Sequence, residues 1–161
     1  MPNWCYNSVT LHHTDVNKMN ALKKHLDGVG LIASYFIPVP PDEQDNWYLW
    51  CVEAWGTKWD FEPLDWCSVD NQFVIKFESA WSPPIALYDF LVTSGWSVDA
   101  KYNEPGMGYI GRYTDGSDDY YEYDISELDS IKSLPEDLIL FGNLDEEHAI
   151  WKEYTYTDGE I

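Results

Sequence analysis

The stretch Gln72–Tyr102, QFVIKFESAWSPPIALYDFLVTSGWSVDAKY, decides the fold. Phe73, Ile75 and Phe77 alternate with Val74 and Lys76, the period-two pattern of a strand with one face in a core. Ser82-Pro83-Pro84 then opens a helix. Ser82 reads as its cap, and a proline in the first turn sacrifices no helical hydrogen bond. Ile85, Tyr88, Leu91 and Val92 give that helix an apolar face, Gly95 ends it, and Trp96–Tyr102 returns as a strand.

Upstream, Leu64–Val69 and Gln72–Ser79 flank the turn residues Asp70-Asn71 and read as a hairpin. Residues 3–13 predict a first strand. Trp4, Tyr6, Ser8, Thr10 and His12 share one face of it, and Cys5, Asn7, Val9 and Leu11 the other. Thr14 or Asp15 caps a helix carrying Val16, Met19, Leu22 and Leu26 at helical spacing, and Gly28 stops it. Residues 29–62 form an insertion packed against the sheet. It contains an apolar run from Leu31 to Ile37, the Pro38-Val39-Pro40-Pro41 break, and a short helix over Trp47–Trp55 with Trp47, Trp50 and Cys51 on one side.

The resulting order, β-α-insertion-β-β-α-β, predicts an α+β fold of the ferredoxin-like, split-βαβ kind. In it, an antiparallel sheet carries two helices on one face. An added hairpin follows, Gly108–Tyr113 and Tyr120–Ile125, joined through Asp115-Gly116-Ser117. The C-terminal helices are expected over Leu128–Leu134, Pro135–Phe141 and Asp145–Tyr156, the last with Ile150, Trp151 and Tyr154 facing inward. No internal repeat or Gly/Ser linker divides the chain. The expectation is one domain over 1–161: a ferredoxin-like core over 1–115 and an acidic extension over 116–161.

Twenty-nine Asp and Glu against nine Lys and Arg leave the 161-residue chain with a formal charge of −20. Disordered acidic segments are poor in aromatics, whereas this chain holds nine Trp, twelve Tyr and six Phe, enough for a large folded core. The excess is uneven: residues 1–98 carry net −7 and residues 99–161 net −13, with seven acids and no base from Asp115 to Asp129. Such a balance repels nucleic acid and anionic membrane, and attracts basic protein surfaces.

Cys5, Cys51 and Cys67 are an odd count without a CxxC pair, which speaks against a disulfide framework and a zinc site. With no signal peptide at the N-terminus and no long apolar run, a cytoplasmic protein is expected. His12, His13, His25 and His148 show no metal spacing, and Asp115, Asp118 and Asp119 lack the ligand order of a calcium loop. Cys5 as a nucleophile has no base nearby in sequence beyond His12. A nuclease needs a basic track to approach phosphate, and the chain has a single arginine, Arg112. The expectation is therefore a non-enzymatic protein without metal or cofactor.

Four segments carry a family likeness: Met1-Pro2-Asn3-Trp4-Cys5 with Asn7, Trp55-Gly56-Thr57-Lys58-Trp59-Asp60, Ala80-Trp81-Ser82-Pro83-Pro84, and Tyr102-Asn103-Glu104-Pro105-Gly106. Over roughly residues 1–115 the chain resembles the YubB-type ferredoxin-like domain of bacteriophages and conjugative plasmids. The resemblance implies a ferredoxin-like fold and a mobile-element origin, and no activity.

Two candidate sites follow. Asp115, Asp118, Asp119, Glu122, Asp124, Glu127 and Asp129 form a candidate partner-binding surface, with Glu122 and Asp124 on one face of a strand. Twenty charges correspond to about 34 Å of duplex DNA, and a compact chain of this length is roughly 40 Å across. The charge density is thus duplex-like. This favours a DNA-mimic, anti-defence protein that binds a basic, nucleic-acid-binding host protein and no nucleic acid itself. The alternative is a small-molecule or enzymatic pocket built from Asn3, Trp4, Asn7, Trp55, Lys58, Trp59, Asp60, Trp81 and Glu104. The preferred reading of the same residues is structural: Lys58 in a sheltered ion pair with Asp60 or a cation–π contact, with Glu78 and Glu104, near strand ends, able to join that network, and Asn3 and Asn7 satisfying backbone groups of the insertion. A third reading keeps the acids for solubility alone.

Overall fold

The structure, a computed structural model, describes residues 3–28 and 30–157. Met1 and Pro2 of the first family-like segment lie outside the described residues. Six strands form one antiparallel sheet: β1 (Trp4–His12), β2 (Asp65–Val69), β3 (Gln72–Ala80), β4 (Ser97–Glu104), β5 (Tyr109–Thr114) and β6 (Ser117–Glu122), in the order β2-β3-β1-β4-β5-β6. Helices α1 (Val16–Asp27) and α4 (Ile85–Thr93) are the two crossovers, so the first four strands have the ferredoxin-like arrangement.

The inner face of the sheet carries the larger core. Val9 and Leu11 from β1, Phe73, Ile75 and Phe77 from β3, and Val98 and Ala100 from β4 meet Met19, Leu22 and Leu26 of α1 and Leu87, Tyr88 and Leu91 of α4. Asp15 starts α1, its Oδ1 accepting from the Asn17 N–H at 2.9 Å. Val16, expected on the apolar face of α1, is exposed: it is the first residue of the helix and precedes the buried Met19–Leu26 stripe.

The insertion packs on this core as expected. It comprises α2 (Ala33–Phe36), a 3-10 turn over Pro41–Asn46 and α3 (Trp47–Trp55). α3 buries Cys51 and Trp55, while Trp47 on its first turn stays exposed. Gly56 ends α3 at φ +83°, and a Cβ there would meet the Ile85 and Ala86 nitrogens at 3.0 Å, so α3 and α4 approach closely. Ser82 does not cap α4. Its hydroxyl donates to Gly56 O at 2.7 Å, and Thr57 Oγ1 donates to Ala80 O at 3.0 Å, which ties the insertion to the β3–α4 junction.

The added hairpin is tighter than its sequence suggests. Asp115 and Gly116, at φ +44° and +102°, form a two-residue turn, and β6 begins at Ser117. Residues 123–125 lie beyond the strand, so Glu122 and Asp124 do not share a strand face; Asp118, Tyr120 and Glu122 do.

The C-terminal helices α5 (Leu128–Lys132), α6 (Glu136–Gly142) and α7 (Leu144–Thr157) build a second core with Ile110 and Tyr123. Ile110 points away from its neighbours Tyr109 and Gly111, so this core lies on the outer face of the sheet, over β4 and β5. Ile131, Leu134, Leu138 and Leu144 are buried in it. Ile150, Trp151 and Tyr154 are not: α7 rests on α5 and α6, and beyond Leu144 its apolar side chains stand in the open. No helix among the described residues is long and apolar enough to cross a membrane.

Candidate binding surface

The strand order brings the start of β1, the end of β3, the end of β4 and the start of β5 to one end of the sheet. Three of the four family-like segments therefore converge there, and the Ser82–Gly56 bond brings in the fourth. Lys58 Nζ lies 4.6 Å from the Trp59 ring centroid, 4.9 Å from Trp81 and 5.7 Å from Tyr48. Among the described residues it makes no salt bridge, so the ammonium is held by π faces alone. Trp4 lies 6.2 Å from Trp59 and extends the cluster. Trp4, Tyr48, Trp59 and Trp81 are all exposed.

Trp81 adopts φ +68°, a left-handed conformation that costs a bulky residue of order 1–3 kcal/mol. Two hydrogen bonds hold it there. Its N–H donates to Asn3 O at 2.9 Å, and its carbonyl accepts from the Tyr109 hydroxyl.

Several expected pocket members face elsewhere. Asp60 does not pair with Lys58; its carboxylate accepts from the Ala33 and Ser34 N–H groups at 2.8 and 2.9 Å, capping α2, and from the Phe61 N–H. Glu104 is buried and accepts from the Gly106 and Met107 N–H groups at 2.7 and 2.9 Å, closing the β4–β5 turn. Asn7 does not reach the insertion: its Nδ2 donates to Cys5 O and Ser79 Oγ, both at 2.9 Å. Trp55 is buried, its indole N–H donating to Ile37 O at 2.9 Å. Asn3 is exposed, with its amide next to Glu104 at the turn. Glu78 is half-buried and pairs across from Tyr6, with no part in the cluster around Lys58. Cys5 lies beneath these groups, its thiol pushed up to about 12 by burial above all, with the Glu104 charge adding to it. It is a thiol and not a thiolate at neutral pH.

The acidic candidates divide by what they touch. Asp118 accepts from the Tyr102 hydroxyl at 2.7 Å, and burial first, then the Asp119 and Asp89 charges, raises its carboxyl above the usual range. Asp119 accepts from Arg112 Nε at 3.3 Å, Asp115 from the Val98 N–H at 2.8 Å, and Asp124 from the Ser126 N–H and hydroxyl. Glu122 accepts from the Tyr120 hydroxyl at 3.3 Å. Glu127 and Asp129 are exposed at the start of α5. All seven remain at the surface, and β6 is one of the two edge strands of the sheet, β2 being the other. Among the described residues no group of three or more His, Cys, Asp or Glu is placed to hold a metal ion.

Tyr109 joins the two candidate sites. Its ring lies 5.3 Å from that of Tyr120 on β6, a diagonal cross-strand pair, while its hydroxyl bonds Trp81. Two aromatic groups, Trp4, Trp59 and Trp81 around Lys58 on one side and Tyr109 with Tyr120 on the other, are thus joined through the Trp81 carbonyl, and the second adjoins Asp118 and Glu122. Tyr48, Tyr109 and Tyr120 were not among the sequence candidates. Reading Asp115-Gly116 as a two-residue turn fixes the register that sets Tyr109 diagonal to Tyr120.

No family model and no curated protein matches the chain. Among solved structures it is similar to the protein api92 from Yersinia pseudotuberculosis, described under the family DUF1281. The identity is 20% and the TM-score 0.36, over 48% of this chain and 30% of that one. The chain thus spans less than a third of the length of that relative, and a likeness this slight carries no argument about fold or function.

Proposed function

We propose that the protein is a non-enzymatic binding module that engages a basic host protein through the aromatic-acidic surface centred on Tyr109. The observation that supports this most is that half-buried Tyr109, through its hydroxyl on the Trp81 carbonyl and its ring beside exposed Tyr120, links the exposed Trp cluster to the carboxylates of the β6 edge. Trp and Tyr anchors carry much of the energy of protein–protein recognition, and charges on the rim steer the encounter and select the partner. From residue 115 to 157 there are thirteen acids against two bases, so a partner that docks there meets a strongly anionic field. The segments resembling the YubB-type domain favour a phage or plasmid setting, in which competition with duplex DNA for a basic groove would serve anti-defence.

The test is capture from bacterial lysate at low and moderate salt, followed by competition with duplex DNA. Basic nucleic-acid-binding proteins are expected on the wild-type protein, displaced by DNA, and lost on reversing Asp118, Asp119, Glu122 and Asp124 to lysine. Wild-type protein that retains no basic protein at either salt, or capture indifferent to the reversal, overturns the proposal.

A further inference from the structure

The C-terminal helices cover only part of the outer sheet face. Beside them, between the open face of β1–β3 and helix α7, lies a cavity of about 890 Å³. Its sheet wall presents Tyr6; its helical wall presents Phe141, Leu144, Ile150 and Trp151. Tyr6, Ile150 and Trp151 are 47%, 40% and 38% exposed, large apolar groups left in water along one groove. At the floor, Asn103 Oδ1 accepts from the Tyr123 hydroxyl at 2.9 Å, and its amide N–H₂ and the second lone pair of Oδ1 can serve a visitor.

The charges on the rims choose the visitor. Asp65 and Glu147 stand on opposite walls, and Asp145 and Glu146 precede Glu147 in the first turn of α7. Lys76, the groove's one base, sits across from Asp65 in the β2–β3 register. A second copy of the chain would bring another −20 to this surface, and like charges across an interface are strongly unfavourable. The floor is the face of the central strands β1 and β3, whose backbone groups are paired on both sides, so a strand lying on it has no edge to extend; the β2 edge lies beside the groove and not in its floor. Recognition must come from side-chain anchors, as for a helix laid in a groove.

We infer that the groove between the open sheet face and α7 takes a cationic amphipathic helix of a partner protein, its apolar residues on Tyr6, Ile150 and Trp151 and its Lys or Arg residues towards Asp65 and Glu147. This rests on the reading of the protein as a binder of basic partners and adds a second contact, on the sheet face opposite α1 and α4.

The probe is a labelled synthetic peptide of fourteen residues with Leu at helical i, i+3, i+4, i+7 spacing and Lys elsewhere. A scrambled peptide of the same composition, and so the same charge, is the control; both are titrated by fluorescence anisotropy at physiological salt. The amphipathic peptide is expected to bind at least about tenfold more tightly than the scrambled one. Ile150→Ser with Trp151→Ser, or Tyr6→Ser on the opposite wall, should abolish that preference; all three residues are exposed, and circular dichroism checks that each variant is folded. Equal binding of the two peptides to wild-type protein, or a preference that survives both groove variants, overturns the inference. Asp118→Asn with Glu122→Gln separates the two proposals. Loss of lysate capture with the peptide preference intact places the two contacts apart; loss of the preference itself in that variant moves the helix to the β6 edge and overturns the groove.

Discussion

Arg112 on β5 reaches Asp137 in the first turn of α6 with its Nη1 2.8 Å from Oδ2, while its Nε lies 3.3 Å from Asp119 on β6. Lys101 on β4 adds a longer contact to Asp137 at 3.7 Å. The chain's one arginine therefore links the edge hairpin to the C-terminal helices, in the region where acids most outnumber bases. Arg112→Ala is expected to lower stability by about 0.5–1 kcal/mol, since the pairs are partly exposed and screened. Urea denaturation at low salt measures the loss, which should shrink as salt rises.

The same charge balance predicts an unusual salt response for the wild-type protein. Self-repulsion among carboxylates opposes the compact state, and salt screens it over about a Debye length. Thermal melting should therefore shift upward between 10 and 150 mM salt. A melting point that stays level or falls would mean that the acids are spaced widely enough to ignore one another.

Gly111 sits in β5 with a Cβ position occupied by the Tyr102 ring and hydroxyl and, at 2.5 Å, by Asp119 O. Neither a backbone oxygen of the paired strand nor a buried tyrosine can yield easily. Gly111→Ala is expected to cost roughly 1–3 kcal/mol as an overpacking change. It should also break the Tyr102–Asp118 hydrogen bond and loosen β6. Hydrogen exchange of the β6 amides reads this directly; unchanged protection would count against it.

Thiol labelling separates the three cysteines. Cys5 and Cys51 are buried, and burial raises both thiols, whereas Cys67 is exposed on β2. One rapid equivalent of thiol reagent is expected in native protein at pH 8, and three after unfolding. Rapid labelling of Cys5 in the native state would contradict its sheltered position.

Alkaline pH should destabilise the protein before acid does much. Burial holds Cys5 at about 12 against an ordinary 9.0, holds Tyr123 at about 12, and raises Tyr88, Tyr102, Tyr109 and Tyr113 above their ordinary range. Each such group stays protonated in the folded protein at a pH where the unfolded chain has released the proton. Its contribution is complete below the unfolded value and is lost as pH climbs towards the folded one, at up to about 1.4 kcal/mol per pH unit per group. Melting temperature should thus fall steadily from about pH 9 upward.

The alternation of Phe73, Ile75 and Phe77 and the spacing of Met19, Leu22 and Leu26 made the split-βαβ core legible, because each element buries one face and its period reports it. The same logic failed for α7. Ile150, Trp151 and Tyr154 have the spacing of a buried stripe, but periodicity says only that a face is apolar and not that the chain supplies something to cover it. Polar roles were the least legible. Asp60 reads as a partner for Lys58 two residues away, yet it serves the N-terminus of α2, 27 residues back at Ala33. Glu104 reads as a site carboxylate and spends both oxygens on its own turn. A carboxylate goes where unpaired N–H groups are left, and that is settled only once distant elements meet. The join between the aromatic and acidic regions was hidden for a simpler reason: it runs through Tyr109, whose neighbours depend on the hairpin register.

The left-handed backbone at Trp81 sets stability and recognition against each other at a single position. Glycine is the residue that this conformation suits best, so Trp81→Gly relaxes the main chain while deleting the ring over Lys58. Where improvement of the fold and loss of the ring arrive in one substitution, a variant chosen only for thermal resistance would drift towards a sturdier protein that has forgotten what it holds.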